Sequence, residues 1–203
     1  MLVKNCMTPN PVTVVPWEDV KNTFHLLKKH SIRRVPVVKD GGLLGVVTDR
    51  DLRVALVRPE LTVEAVMSSN PVTIIEDATI EEAARIVRTR KFNALPVVSK
   101  KGELVGIITV TDILDGLLNL LRFHEEPTRV QVKIPEGVSL VDVIKVFQVS
   151  SEKVLSFSSS RESNNIYYFW VSGCDFDKLD RKLREKRLNV SVTYPESLTK
   201  LVQ

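Results

Sequence analysis

The chain contains an internal duplication with an offset of about 60 residues, and no other feature constrains its fold as strongly. The string MTPNPVTVV at 7–15 returns as MSSNPVTII at 67–75. Two further strings recur in the same order: IRRVPVV at 32–38 as FNALPVV at 92–98, and GVVTDRDL at 45–52 as GIITVTDI at 106–113. Repetition at a fixed period predicts two copies of one supersecondary unit that pack against each other.

Each copy has the pattern of a short strand, a helix, a two-stranded hairpin and a second helix. Apolar residues at steps of three and four predict the first helix of each copy, at Trp17, Val20, Phe24 and Leu27 and at Ile80, Ala83, Ala84 and Val87. Apolar, β-branched runs at 35–38 and 43–47 flank the turn string Lys39–Gly42 and predict the hairpin. A unit of this size buries little more than half of its surface, so the copies are expected to fold as a pair.

Composition narrows the class of protein. The 203 residues are 43% apolar and 27% charged, which predicts a folded chain, and the longest apolar runs are far too short to span a membrane. The start of the chain lacks the charged head and apolar stretch of a signal peptide, so we expect a cytoplasmic protein. The two cysteines, Cys6 and Cys174, lie at opposite ends, and the three histidines are scattered. This predicts neither a disulfide framework nor a metal site.

The charge pattern argues against a nucleic-acid partner. The net charge of +4 comes from 29 basic and 25 acidic residues. The densest charged run, 178–187, mixes both signs and places Leu179 and Leu183 four residues apart. Such a run is typical of a helix with one buried edge and a solvated face.

Two Thr-x-x-Asp strings, Thr48–Asp51 and Thr109–Asp112, stand where a predicted strand ends and a helix begins. The spacing suits a capping box, in which the threonine accepts from the amide three residues on and the acid reaches back. The same geometry also suits a ligand, because helix-start amides favour an anion and a carboxylate can accept from ribose hydroxyls. On the residues alone, capping is favoured and ligand binding stays open.

The strings PVTV, VPVV and GVVTDRDL closely resemble the paired cystathionine-β-synthase-type (CBS) repeats of Bateman modules, over residues 1 to about 122. The resemblance implies an α+β fold with repeats at 1–62 and 63–126. It also implies an adenine nucleotide as regulatory ligand, no cofactor and a homodimer. In CBS pairs the aspartate commonly holds the ribose and the neighbouring threonine approaches the phosphates. The resemblance therefore shifts the preference at Thr-x-x-Asp towards ligand binding.

In CBS pairs each cleft combines the Thr-x-x-Asp of one repeat with the first strand and pre-proline segment of the other. The first cleft is then predicted to contain Thr13, Val14, Arg33, Arg34, Val35, Pro36, Thr109, Thr111 and Asp112. The second is predicted to contain Thr48, Arg50, Asp51, Thr73, Ile74, Asn93 and Ala94. Guanidinium groups are forked donors suited to phosphate, so the first cleft is the preferred nucleotide site. Asp49 makes the second cleft more acidic, although Arg50 could offset it, and a less charged adenosine ligand would suit it better.

The pattern changes after Pro127, where a second domain is expected over 127–203. Strands are predicted at 128–134, 153–157, 166–171 and 188–194, and helices at 140–147 and 175–187. The first strand alternates Val130, Val132 and Ile134 with polar residues, as a half-buried strand does. The order βαββαβ predicts a ferredoxin-like domain.

The string IPEGVSLVDV at 134–143 resembles the first loop and helix of ACT domains, which often bind amino acids or pair sheet edge to edge. Glu136, Gly137 and Val138 are the candidate loop residues, although the glycine fits a tight turn equally well. The aromatic string at 167–170 is expected to line an interface between chains or to fill the core. A CBS pair followed by an ACT-like domain is similar in architecture to AcuB-type acetoin-utilisation proteins.

Two functions follow from these observations. The favoured one is a regulatory sensor that binds AMP, ADP, ATP or an S-adenosyl compound and passes its ligand state to a partner, an unidentified regulated protein. The alternative is a structural or oligomerisation module with unoccupied clefts, in which the Thr-x-x-Asp strings only cap helices. An enzyme is not expected, because no nucleophile with a base and no metal constellation is visible in the sequence.

Overall fold

The computed structural model describes residues 1–193 except 59, 126, 189 and 190. The chain divides into two compact units, Met1–Leu117 and Leu118–Gln203. No described helix is long and apolar enough to cross a membrane. The predicted domain start at residue 127 stays a prediction, since the division into units falls within a helix.

The first unit contains both copies of the duplication. Its strands are β1 Thr8–Pro9, β2 Arg34–Lys39, β3 Gly42–Thr48, β4 Ser68–Ser69, β5 Ile74–Ile75, β6 Ala94–Val98 and β7 Leu104–Thr109. Its helices are α1 Val20–Lys29, α2 Asp49–Ala55, α3 Val63–Val66, α4 Ile80–Arg90 and α5 Val110–Leu120, the last running into the second unit. Mixed α+β structure with tandem repeats is therefore confirmed.

The two predicted hairpins are present and form the centre of each repeat. Val35 pairs with Val47 in β2 and β3, and Leu95 pairs with Ile108 in β6 and β7. All four side chains are fully buried. The first turn follows from its sequence, because Asp40 and Gly41 both adopt positive φ, at 50° and 80°. An Asp-Gly turn of this type matches the twist of the strands that it joins.

The repeats exchange their leading segments, which the sequence analysis did not predict. Strand β1, near the start of the first repeat, pairs antiparallel with β7 of the second, at Thr8 and Ile107. Strand β4, near the start of the second repeat, pairs with β3 of the first, at Ser68 and Val46. The sheets are thus ordered β1-β7-β6-β5 and β2-β3-β4. Neither sheet is complete without residues from the other half.

The exchange extends into the hydrophobic cores. Val3, near the start of the chain, is fully buried among residues of the second repeat such as Ile80 and Leu95. Val63 is fully buried among residues of the first repeat such as Val20 and Leu27. Burial of a valine side chain contributes roughly 1.5–3 kcal/mol relative to exposure, so these contacts tie each half to the other.

Side chains cap the starts of α1 and α4. Asp19 accepts a hydrogen bond from the amide of Asn22 at 2.8 Å, so α1 begins at Val20. Trp17, which was predicted to lie in the buried stripe of this helix, precedes the cap and is 63% exposed. The prediction for Trp17 is therefore wrong. The corresponding stripe of α4 is confirmed at Ile80, Ala83 and Val87, which are buried.

The second unit contains an antiparallel sheet and two helices. Its elements are β8 Thr128–Lys133, α6 Leu140–Ser150, β9 Lys153–Ser159, β10 Ile166–Ser172, α7 Phe176–Glu185 and β11 Ser191–Thr193, with the sheet ordered β11-β8-β10-β9. The predicted alternation is confirmed, since Val130, Val132 and Ile134 are buried. Phe147 of α6 stacks on Phe169 of β10, with ring centroids 4.3 Å apart. Residues 189, 190 and 194 of the last predicted strand lie outside the described residues.

A methyl group at Gly45 tests the exchange of segments. A Cβ atom there would lie 2.6 Å from Met67 Sδ and 2.9 Å from the Ser68 carbonyl oxygen, both from the crossing segment. We expect Gly45→Ala to lower the free energy of unfolding by about 1–3 kcal/mol in urea denaturation.

The control is Gly42→Ala in the same strand, where the nearest atom is the Lys39 carbonyl oxygen at 3.4 Å. It should change stability by no more than about 0.5 kcal/mol. Adding Met67→Ala to Gly45→Ala should recover part of the loss, because the two positions are in contact. Strict additivity of the two substitutions would contradict the described packing.

Candidate functional site

A cleft of about 780 Å³ opens in the first unit, within the usual range for small-molecule sites. It is lined by Thr8, Asn10, Pro11, Val12, His30, Ser31, Ile32, Arg33, Arg34, Pro36, Asn93, Ile107, Thr109, Val110 and Thr111. Five of these belong to the predicted first cleft: Arg33, Arg34, Pro36, Thr109 and Thr111. The cleft therefore joins the pre-proline segment of the first repeat to the start of α5 in the second.

Four residues predicted for the first cleft do not line it. Val14 and Val35 are buried in the core of the first repeat, where their backbones belong to the sheet. Thr13 is exposed. Asp112 is half-buried, and its carboxylate is turned back onto Thr109.

Asn93 was predicted for the second cleft but lines this one. Its carbonyl oxygen accepts a hydrogen bond from the amide of Val110 at 3.0 Å, which holds it beside the start of α5. Sequence reasoning also missed the wall contributed by Thr8, Asn10 and Ile107, because that wall depends on the pairing of β1 with β7. His30, Ser31 and Ile32 directly precede the predicted arginines, and that adjacency was an available signal.

Thr109 and Asp112 form a reciprocal set of hydrogen bonds at the start of α5. Asp112 Oδ2 accepts from the Thr109 amide at 2.7 Å and from the Thr109 hydroxyl at 2.8 Å, and the Asp112 amide donates to Thr109 Oγ1 at 3.2 Å. The helix-capping interpretation is thus confirmed as local structure. It also commits the Thr109 hydroxyl proton to Asp112, while Asp112 Oδ1 makes no hydrogen bond within the described part of the chain.

At the start of α5, the hydroxyl of Thr111 can bind a ligand, because the hydroxyl of Thr109 already donates to Asp112. The side chain of Thr111 is exposed, lines the cleft and has no hydrogen-bond partner among the described residues. A threonine hydroxyl can donate one hydrogen bond and accept two. Thr111 can therefore donate to an anion in the cleft without disturbing the cap of α5.

Arg33 and Arg34 place two cations on the opposite wall. Arg34 is the first residue of β2 and half-buried, whereas Arg33 precedes the strand and is exposed. Neither guanidinium forms an ion pair with any described residue. Burial, and then the charge of Arg33, lowers the pKa of Arg34 below that of a free arginine side chain. Since lining acids are absent from the described cleft wall, its positive charge is not balanced internally.

Two residues predicted for the second cleft, Thr48 and Asp51, form a matching cap at the start of α2. This cleft has no counterpart of Arg33 and Arg34. Asp51 Oδ2 accepts from the Thr48 hydroxyl at 2.6 Å and from the Thr48 amide at 3.0 Å. The remaining residues differ in exposure: Arg50 exposed, Thr73 half-buried, Ile74 and Ala94 buried. Arg34 pairs with Thr48 across the β2–β3 hairpin, so the two predicted clefts share a border.

The negative charge expected at Asp49 is balanced by neighbouring cations. Asp49 Oδ2 lies 2.8 Å from Arg53 Nη2, and Oδ1 lies 3.7 Å from Lys28 Nζ. The hydrogen bond from Arg53 lowers the pKa of Asp49. The charge of Asp49 is therefore offset by Arg53 and Lys28, where the sequence had offered Arg50 for that role.

The loop that resembles ACT domains forms a turn in the second unit. Gly137 has φ +84°, and a Cβ atom there would meet no atom within 4 Å. The Val138 amide donates to the Pro135 carbonyl oxygen at 3.3 Å. Glu136 is exposed and Val138 packs against the core. The glycine is thus explained by its positive φ, which favours the turn interpretation.

Comparison with known proteins identifies the family. A model described as the CBS domain matches residues 3–58 and 63–119. The chain belongs to the CBS-domain proteins. A CBS domain-containing protein from Dictyostelium discoideum is 37% identical over an alignment of 136 residues that covers 60% of this chain and 94% of that protein. Inosine-5′-monophosphate dehydrogenase from Korarchaeum cryptofilum is 36% identical over 121 residues, but the chain spans only 25% of that enzyme.

Solved structures extend the similarity. CBSX2 in complex with AMP has a TM-score of 0.54 at 30% identity, covering 59% of this chain and 97% of that chain. An acetoin utilization protein (AcuB) from Vibrio cholerae has a TM-score of 0.55 at 33% identity, covering 62% and 96%. The CBS domain pair of protein MJ0100, in complex with 5′-methylthioadenosine and S-adenosyl-L-methionine, has a TM-score of 0.54 at 29% identity, covering 59% and 97%. The CBS family resemblance inferred from the repeats is confirmed.

The capping hydrogen bonds of Thr48 and Thr109 predict similar losses of stability when either threonine is replaced. Thr109→Val and Thr48→Val each remove the hydroxyl that joins the cap to its aspartate. We expect each to lower the free energy of unfolding by about 1 kcal/mol, measured by urea denaturation without ligand. A neutral effect at either position would show that the described hydrogen bonds do not stabilise that helix.

Proposed function

We propose that this chain is a regulatory adenine-nucleotide sensor without catalytic activity, and that the nucleotide binds in the cleft of the first unit. The observation that carries the proposal is the pair of unbalanced guanidinium groups, Arg33 and Arg34, in a cleft of suitable volume. A related CBS protein has been solved with AMP, which supports adenosine phosphates as the ligand class.

The described atoms suggest how the parts of a nucleotide are held. The arginines and the Thr111 hydroxyl face the phosphate, because they are donors with no internal acceptor. Asp112 lies beside the described cleft wall and not in it, and we assign its Oδ1 to a ribose hydroxyl while Oδ2 stays with Thr109. Apolar side chains in the wall surround the purine: Pro11, Val12, Ile32 and Ile107. Val14 and Val35 support this wall from the core behind it.

The cleft can report its ligand state because it draws on both repeats. Arg33 and Arg34 belong to the first repeat, and Thr111 belongs to the second. A ligand that contacts both stabilises the arrangement of repeats in which those contacts coexist. The free energy of binding is thereby coupled to the packing of the pair and to any partner that recognises it.

The proposal assigns a binding role and no reaction to the cleft. Arginine stays protonated in proteins and acts as a hydrogen-bond donor rather than a base. The similarity to inosine-5′-monophosphate dehydrogenase covers a quarter of that enzyme, so its activity is not carried over. No described group of three or more His, Cys, Asp or Glu side chains is placed to hold a metal ion. We place the sensor in the cytoplasm, where adenine nucleotides are abundant.

The second set of predicted residues remains a proposed weaker site. Thr48, Arg50, Asp51, Thr73 and Ile74 would meet a less charged adenosine ligand. Asp49 forms ion pairs with Arg53 and Lys28, so the charges in that region offset each other. The second cleft therefore lacks the surplus positive charge of the first.

For residues 127–203 we infer a ferredoxin-like, ACT-related domain that pairs chains. The βαββαβ order and the antiparallel sheet support this assignment. Edge strand β9 carries Phe157, which is 48% exposed and available for such pairing. An amino acid ligand at Glu136, Gly137 and Val138 has less support, because the turn alone explains Gly137.

We also propose a homodimer, in which exposed apolar side chains of the first unit meet a second copy. Val54 is 72% exposed, Val57 83% and Leu114 53%. Light scattering should give twice the chain mass of 22.9 kDa. Val57→Asp should weaken the dimer, whereas Val72→Asp, at a side chain that is 39% exposed elsewhere, should not. A monomer at high protein concentration would contradict the proposal.

The alternative function is a structural or oligomerisation module with unoccupied clefts. The capping hydrogen bonds favour it, because they give both Thr-x-x-Asp strings a sufficient structural role. They do not explain the unbalanced arginines, and for that reason the sensor is the preferred function.

Paired aspartate substitutions separate the two functions. Asp112→Ala and Asp51→Ala remove equivalent caps, so each should cost about 1 kcal/mol of stability without ligand. With AMP at about a hundred times its dissociation constant, the wild type and Asp51→Ala should gain roughly 2.7 kcal/mol in thermal unfolding. Asp112→Ala should gain little, because it loses the contact to the ribose.

ADP and ATP are titrated in parallel with AMP. If no adenosine phosphate stabilises the folded wild type, the sensor proposal fails and the structural module takes its place. If Asp51→Ala loses the response and Asp112→Ala keeps it, the sensor stands but the ligand belongs in the second cleft.

A further inference from the structure

The charge of the cleft wall has one sign. The ionised side chains that line it are those of Arg33 and Arg34, and no aspartate or glutamate lies among the described lining residues. The acid next to the cleft is Asp112, whose carboxylate already accepts two hydrogen bonds from Thr109. This distribution of charge affects which adenosine compounds can bind, and the inference drawn from it rests on the proposed function.

Some cations of this chain contact a carboxylate, and Arg34 combines the lack of such a contact within the described part of the chain with partial burial. Asp77 contacts both Lys4 and Lys100, at 2.8 and 3.0 Å, and Asp49 contacts both Arg53 and Lys28. Arg34 is half-buried and has no such partner among the described residues. A partly desolvated cation without a partner raises the free energy of the empty protein, and an anion in the cleft would relieve that cost.

Adenosine ligands differ mainly in the charge of their 5′ group. AMP carries a phosphate with up to two negative charges at neutral pH, and 5′-methylthioadenosine is uncharged there. S-adenosylmethionine carries a positive sulfonium at the same position, and the carboxylate of its methionine part is offset by the neighbouring ammonium, so its net charge is about +1. In this cleft a sulfonium would approach two guanidinium groups, and the single charge of neighbouring Asp112 does not offset the repulsion from both.

We infer that the cleft selects adenosine ligands by the negative charge of their 5′ group, accepting phosphates and excluding S-adenosylmethionine, and that Arg34 determines this selectivity. Arg34 ranks above Arg33 for two reasons. Its backbone is fixed by pairing with Thr48 at the start of β2, and its side chain is the more buried of the two. A donor held in place at low exposure loses less entropy and is less screened by salt when it meets an anion.

Titration calorimetry on the full chain tests this selectivity with three probes: AMP, 5′-methylthioadenosine and S-adenosylmethionine. We expect the wild type to bind AMP at least a hundredfold more tightly than S-adenosylmethionine. Affinity for AMP should fall as salt is raised, and affinity for the uncharged probe should not.

Substitutions at the two arginines show which residue determines the selectivity for charge. Arg34→Gln should weaken AMP binding by about tenfold to a hundredfold, as expected for loss of a hydrogen bond between charged groups. It should leave 5′-methylthioadenosine binding within a factor of two or three. Arg33→Gln should have a smaller effect, and Arg34→Lys should retain part of the AMP affinity. Arg88→Gln, at an exposed arginine of α4 outside the cleft wall, is the matched control and should change nothing.

The possible outcomes separate this inference from the proposed function. If S-adenosylmethionine binds as tightly as AMP, or if folded Arg34→Gln binds AMP like the wild type, the charge selectivity is wrong while adenosine sensing stands. If neither the three probes nor ADP and ATP bind the folded wild type, the proposed function itself fails. Circular dichroism of each variant confirms folding before titration.

Discussion

The packing of each repeat's leading segment onto the other repeat is the constraint on which the first unit depends. Strands β1 and β4 add to sheets that belong to the opposite half, and Val3 and Val63 enter the opposite cores. Gly45 and Gly106 lack a side chain where these segments cross, so that Met67 and Met7 can lie against the strand backbone. The halves therefore fold together, and the cleft between them exists only in the joined unit.

Local features of the fold were predictable because they depend on neighbouring residues. The hairpin turn follows from Asp40 and Gly41, and the start of each second helix follows from Thr-x-x-Asp. The exchange of segments was not predictable from periodicity, because the same strings at 7–15 and 67–75 could pair within their own repeat. Trp17 shows a related limit, since its apolar spacing fitted the stripe but the cap at Asp19 starts the helix after it.

The candidate site was predicted in part for the same reasons. Arg33, Arg34, Pro36, Thr109 and Thr111 line the cleft, as the family resemblance implied. The positions of Asn93 and Asp112 depend on hydrogen bonds that the sequence does not reveal. A carbonyl bond to Val110 holds Asn93 in this cleft, and a reciprocal cap turns Asp112 towards Thr109. The cap also determines which threonine hydroxyl stays available, a distinction that spacing alone cannot make.

The duplicated halves have diverged at the residues that would otherwise make their clefts equivalent. Arg33 and Arg34 of one half correspond to Asn93 and Ala94 of the other, so the duplication does not extend to charge. A chain with one strong site responds to its ligand hyperbolically, since cooperativity requires at least two coupled sites. A steeper dose response would require coupling to the weaker second site or to another chain.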